Sequence, residues 1–298
     1  MKKYFFLAIA LCAGFIMTSC GDDEDTPSGP TAAKNVSLPD APYKDDATKF
    51  EILSNTTVTI DEEEVTPKSL EVTPGGDYLL TATTETRADE EEMYLTGKVN
   101  KLGDNKYDLD GVGIFSYEKK GDSYELTFTP DGGTPYKLTA KKVDASKMEG
   151  MTGYLARTWV IQSTLLKGTI DGTQVGKAFE GPGCDMNEVI DYANKRGANV
   201  EQMKKGSIIN GIVFTPSLTF MIVYKNETYD IGLWKWDNES NGFLSYHWNK
   251  ADMGCEFLDT KDGKSASATV TFEGTTCKLT LKAKADKYDI EVVFTMQP

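Results

Sequence analysis

From Asp46 to the C-terminus the chain alternates apolar and polar residues with a period of two, and helical periodicity is nearly absent. Each such segment can bury one face only, so the strands must pack as a sandwich or close into a barrel. Tyr124, Leu126 and Phe128 alternate with Glu125, Thr127 and Thr129. After the turn Pro130-Asp131-Gly132-Gly133, the residues Tyr136, Leu138 and Ala140 alternate with Lys137, Thr139 and Lys141, which predicts a hairpin. Further strands are expected over 57–60, 78–83, 93–99, 107–109 and 112–117.

Residues 144–153 carry Asp, Ser and two Gly without alternation and mark a boundary between an N-terminal β domain (45–146) and a C-terminal one (154–298). The second domain should open with a strand over 158–167, followed by a glycine-rich loop over 168–183. One helix is predicted over 186–195: Asp185 is the N-cap, Glu188 stands three residues on as in a capping box, and Met186, Val189, Ile190 and Ala193 fall at helical spacing before Gly197. Seven strands follow over 208–215, 218–224, 228–236, 243–248, 265–272, 277–284 and 288–296, most with hairpin-sized connections. The expected fold class is all-β, with two antiparallel domains, the second an up-and-down barrel with one helix.

Composition narrows the function. The 46 acidic against 32 basic side chains give a net charge of -14, which argues against binding nucleic acid or an anionic membrane face through surface charge. His247 is the one histidine among 298 residues, so multi-His metal sites are ruled out and triad chemistry is disfavoured. The acidic clusters Asp61-Glu62-Glu63-Glu64 and Asp89-Glu90-Glu91-Glu92 lie between expected strands and read as solvated loops rather than paired catalytic carboxylates. Asp104-Asn105 and Asp108-Leu109-Asp110-Gly111 lack the spacing of a calcium loop. We expect no enzyme, no metal and no cofactor.

At the N-terminus, Lys2 and Lys3 precede an apolar run from Tyr4 to Met17 that is too short to span a bilayer, so residues 1–19 read as a signal peptide. Met17-Thr18-Ser19-Cys20 resembles a lipoprotein lipobox, which implies cleavage before Cys20 and acylation of its sulfur. Gly21-Asp22-Asp23-Glu24-Asp25 resembles the acidic export signal of Bacteroidetes lipoproteins, which implies display on the outer face of the outer membrane. Residues 20–44, with four prolines among small and acidic residues, are expected to be a flexible tether.

Leu155-Ala156-Arg157-Thr158-Trp159 is similar to the Leu-x-Gly-x-Trp first-strand motif of lipocalins, with Arg157 in place of glycine. The late-strand arginine of that family is absent, since the arginines are Arg87, Arg157 and Arg196. The chain resembles the divergent lipocalin-like surface lipoproteins of gut Bacteroidetes over about its last half. Those families mostly have no established activity, and the overall reading is a lipid-anchored, non-catalytic binding module of unknown ligand, a small apolar molecule or a glycan.

Two groups of residues are candidates for a site. Trp234 and Trp236 share one strand face, as do Tyr246 and Trp248 on the neighbouring strand; four rings there line an apolar cavity, form a sugar-stacking platform, or fill a core. Of the three cysteines in the folded region, Cys184 and Cys255 are expected to form a disulfide, and Cys277 to pack as a core residue. Alternatives to a general binding module are a glycan-binding lipoprotein of a polysaccharide utilisation system, served by the aromatic platform, or a fimbrial subunit processed at Arg87.

Overall fold

The computed structural model describes residues 32–85, 90–203, 207–226, 229–248 and 266–298. Its first part holds β1 (Ala33–Lys34), β2 (Thr48–Ile52), β3 (Val58–Ile60), β4 (Glu63–Val72), β5 (Asp77–Glu85), β6 (Glu90–Gly103), β7 (Lys106–Leu109), β8 (Gly113–Lys120), β9 (Ser123–Pro130) and β10 (Tyr136–Lys142). Helix α1 (Gly150–Leu155) leads into β11 (Thr158–Ile170), β12 (Thr173–Glu180), β13 (Cys184–Asp185) and α2 (Met186–Asn194). Then come β14 (Ile208–Phe214), β15 (Thr219–Tyr224), β16 (Tyr229–Asn238), β17 (Phe243–Trp248), β18 (Ala266–Glu273), β19 (Thr276–Ala285) and β20 (Tyr288–Gln297).

These strands make two closed eight-stranded antiparallel barrels. The first runs β2-β10-β9-β8-β7-β6-β5-β4 and closes because β2 pairs with both β10 and β4, while β3 lies outside the ring on β4. The second runs β11-β20-β19-β18-β17-β16-β15-β14. Its closing strand is β11, paired along one edge with β20 from Val160 to Ile170 and along the other with β14 over Thr158–Val160. Each barrel has its own core, centred on Phe50, Tyr107 and Phe115 in the first and on Trp159, Ile161 and Phe294 in the second.

The stretch 168–183, expected to be a glycine-rich loop, is instead the end of β11 and all of β12. Asp171 and Gly172 both adopt positive φ (47° and 73°) between the paired Ile170 and Thr173, a two-residue turn whose twist suits a hairpin. Likewise Asp61 and Glu62 form the turn between β3 and β4, so Glu63 and Glu64 open a strand rather than sit in a loop. Strand β4 contains Pro67, which falls between the residues paired with β3 (up to Val65) and those paired with β2 (from Ser69), at a register shift where a missing N–H is tolerated. Helix α2 begins where predicted, with the Asp185 carboxylate accepting from the Asn187 N–H at 3.0 Å. Its Glu188 pairs with Lys177 at 3.2 Å rather than closing a capping box. A second short helix, α1, occupies part of the stretch expected to be plain linker.

The second half of the expected tether is ordered as well. β1 runs parallel to β18, with Ala33 opposite Phe272 and Lys34 opposite Glu273, and the Ser37 N–H donates to the Gly274 carbonyl at 2.9 Å. Tyr43 then reaches the first barrel, where its N–H donates to the Pro74 carbonyl and its hydroxyl to the Val99 carbonyl. Residues 32–47 are thus a strap laid across the second barrel and onto the first.

The barrels meet through their outer walls. Leu79 of β5 packs with Val213 of β14, Met221 of β15 and Ile231 of β16, and Tyr94 and Val223 flank them. Beside this patch the Asp77 carboxylate accepts from the Thr158 hydroxyl at 3.1 Å. The Lys49 ammonium donates to the Thr219 hydroxyl at 2.9 Å and lies 3.7 Å from Glu71, whose carboxylate is 1% exposed and accepts no hydrogen bond. A buried ion pair of this kind is costly to break and cheap to replace. Lys49→Met should therefore lower stability by about 3 kcal/mol or more by leaving Glu71 unpaired, and adding Glu71→Leu should recover most of that loss. Chemical denaturation of the three proteins checks it, and equal losses in single and double variants would refute the pairing.

Candidate functional site

The four aromatic residues singled out in the sequence come together in the second barrel, and they face inward. Trp234 stands opposite Tyr246 across the β16–β17 ladder, and Gly232 opposite Trp248. Trp234, Tyr246 and Trp248 are 2%, 7% and 7% exposed, while Trp236 is half-buried near one end. The Trp234 indole N–H donates to the carbonyls of Thr215 and Thr219, both at 3.2 Å, and its ring meets those of Phe214 and Trp236 edge-on. The Trp236 N–H donates to the Thr152 hydroxyl of α1 at 2.9 Å, tying the helix across that end of the barrel.

Tyr246 and Trp248 pack on Phe220, with ring centroids 5.8 and 4.6 Å away. Gly232 makes room for this: a Cβ there would stand 2.4 Å from the Phe220 ring. The void these rings leave, bounded also by Ile212, Leu279 and Phe294, is about 20 Å³ and presents no polar atom. Ligand pockets are more than ten times larger. The corresponding void in the first barrel is about 10 Å³. Among the described residues Trp234, Tyr246 and Trp248 pack into the filled interior, and Trp236 lies half-buried at its end.

The other candidates are dispersed. His247 lies on the opposite strand face from Tyr246 and Trp248, half-buried. Cys184 is buried, its sulfur 3.5 Å from that of Met186, and Cys277 is fully buried in the same core. Cys255, the expected disulfide partner of Cys184, lies outside the described residues, as do Cys20, Arg87 and Asp89. Among the described residues no three His, Cys, Asp or Glu side chains gather as metal ligands would. On the outer wall a recess of about 590 Å³ lies beside β1, where Ala32 and Phe272 form its apolar part and Lys34, Glu273, Lys278 and neighbouring threonines its polar part.

Sequence reasoning missed the role of Arg157. This side chain is 7% exposed and donates to three carbonyls, those of Tyr154 (2.9 Å), Gly153 (3.1 Å) and Pro39 (2.6 Å), with its guanidinium 5.8 Å from the centre of the Trp159 ring. Burial lowers its pKa, and nearby Asp40 opposes that effect. The signal available was the replacement of a motif glycine by the longest cationic side chain.

No family model matches the chain, and no curated protein does. Among solved structures, a protein of unknown function from the DUF3598 family of Nostoc punctiforme aligns with 84% of this chain and 93% of its own, at 6% identity and a TM-score of 0.24. A porin-like protein from Bacteroides uniformis aligns with 89% and 98%, at 10% identity and a TM-score of 0.14. Neither superposition is close enough to transfer a topology or a role.

Two measurements follow from this geometry. Trp234→Ala should cost about 3–5 kcal/mol and lower the melting temperature sharply, while tryptophan fluorescence of the native protein stays unchanged on adding apolar small molecules. A ligand-induced shift, with little loss of stability in the variant, would show the rings to be accessible. Burial also pushes the Cys184 thiol from 9.0 up to about 12, and the Tyr78 hydroxyl from 10.0 up to about 12. Both hold their protons more tightly in the folded chain than in the unfolded one, so stability should be full below about pH 9 and fall between pH 9 and 12. Denaturation across that range checks the sign, and Cys184→Ala should flatten the lower part of the fall.

Proposed function

We propose that the chain is a lipid-anchored, non-catalytic surface module that engages its partner through the outside of its barrels rather than by enclosing a ligand. The observation that carries the anchor is the sequence Met17-Thr18-Ser19-Cys20 directly after the apolar run from Tyr4 to Met17, followed by the acidic residues Asp22, Asp23, Glu24 and Asp25. Display on the outer face of an outer membrane rests on that acidic run. Among the described residues the voids in the two barrels are about 20 and 10 Å³, too small for a ligand, which favours a macromolecular partner such as a glycan over an enclosed apolar ligand.

Acylation is tested by metabolic labelling with a fatty acid. Label should appear on the wild-type protein and vanish in Cys20→Ser, because the lipid is attached through sulfur. Label retained in Cys20→Ser would overturn the anchor.

A further inference from the structure

We propose that the wall of the second barrel formed by β18 and β19 faces the lipid surface, with the first barrel held on the far side. This rests on acylation of Cys20. Three observations carry it.

The first is where the described strap meets the second barrel. The Ala32 N–H donates to the Ser240 carbonyl at 3.3 Å and its own carbonyl accepts from Phe272 at 2.8 Å, so the strap is pinned to the second barrel before it touches the first. From Cys20 to Ala32 there are twelve residue steps. Fully extended they span roughly 40 Å, and no conformation of that segment can carry Ala32 farther from the acyl chains.

The second is the position of the strap relative to the seam. The first barrel packs against β14, β15 and β16, centred on Met221, whereas β1 pairs with β18. In a closed eight-stranded ring β18 stands three strands from β15, or about 135° around the wall. The β18–β19 wall and the first-barrel seam therefore lie on nearly opposite sides of the second barrel, and the described strap begins at the β17-side edge of that wall.

The third is charge. In a chain of net charge -14, the exposed face of β19 carries Lys278, Lys282 and Lys284, and Lys34 of β1 lies beside Lys278 along the same recess. Lys282 and Lys284 also pair with Glu291 and Asp289 of β20, and Glu273 of β18 lines the recess beside Lys34 and Lys278, so most of this charge is balanced within the wall. The remainder suits the phosphates of lipid headgroups. The occupant we assign to this wall is thus the headgroup surface.

The test uses the full acylated protein reconstituted into phosphatidylglycerol-containing vesicles that carry an acceptor dye in their headgroups. A donor dye is placed by a non-natural amino acid at exposed Thr275, in the β18–β19 turn, or at exposed Glu118, on the first-barrel wall away from the seam. Energy transfer from position 275 should exceed that from position 118 several-fold. Equal transfer, or stronger transfer from 118, would overturn the orientation while leaving the anchor standing. If the acylated protein does not partition onto the vesicles, or if Cys20→Ser partitions equally well, both the anchor and the orientation fall.

Discussion

An eight-stranded barrel has an interior just wide enough for side chains to fill, and the residues here fill both of them. In the second barrel Phe220 occupies the space that a side chain at residue 232 would need, and Tyr246 and Trp248 close around it. In the first, Phe50 touches Phe115, Tyr117 and Tyr124 with centroid separations of 4.8–6.0 Å. Among the described residues the large rings leave voids of only about 20 and 10 Å³ in the two lumens.

Those walls are not uniform. Strands β14 and β15 are buried on both faces, because Ile212, Phe214, Phe220 and Ile222 point into the barrel while Val213 and Met221 point into the seam. The seam also contains Glu71 and Lys49, an arrangement that adds little net stability in general but fixes which surfaces meet. Apolar packing holds the barrels together there, and the ion pair and the Asp77–Thr158 hydrogen bond restrict their register.

Much of this was legible in the sequence. Alternation placed most strands within a few residues, and 243–248 matches β17 without adjustment. The Asp171-Gly172 pair is a strong hairpin signal that the surrounding glycines obscured, and Pro67 with the acidic run before it hid β4. The unbroken apolar runs 211–214 and 220–224 were the trace of burial on two faces. Period two shows which aromatics share a face. It does not show whether that face encloses space or packing, since this depends on ring volumes contributed by strands distant in sequence, such as Phe294 and Leu279.

The segment from Leu155 to Trp159 shows how a short motif can serve the whole chain. A helix leaves its last carbonyls without intrahelical partners, and α1 ends inside the protein, where water cannot replace them. The Arg157 guanidinium takes those of Gly153 and Tyr154, and the Trp159 indole takes that of Leu155 at 2.9 Å. A cation at a helix C-terminus is also favoured by the helix dipole, so the charge is stabilised without a bonded carboxylate. The remaining guanidinium edge holds the Pro39 carbonyl of the strap. Arg157 therefore joins the strap, the helix across the barrel end and the strand that closes the ring.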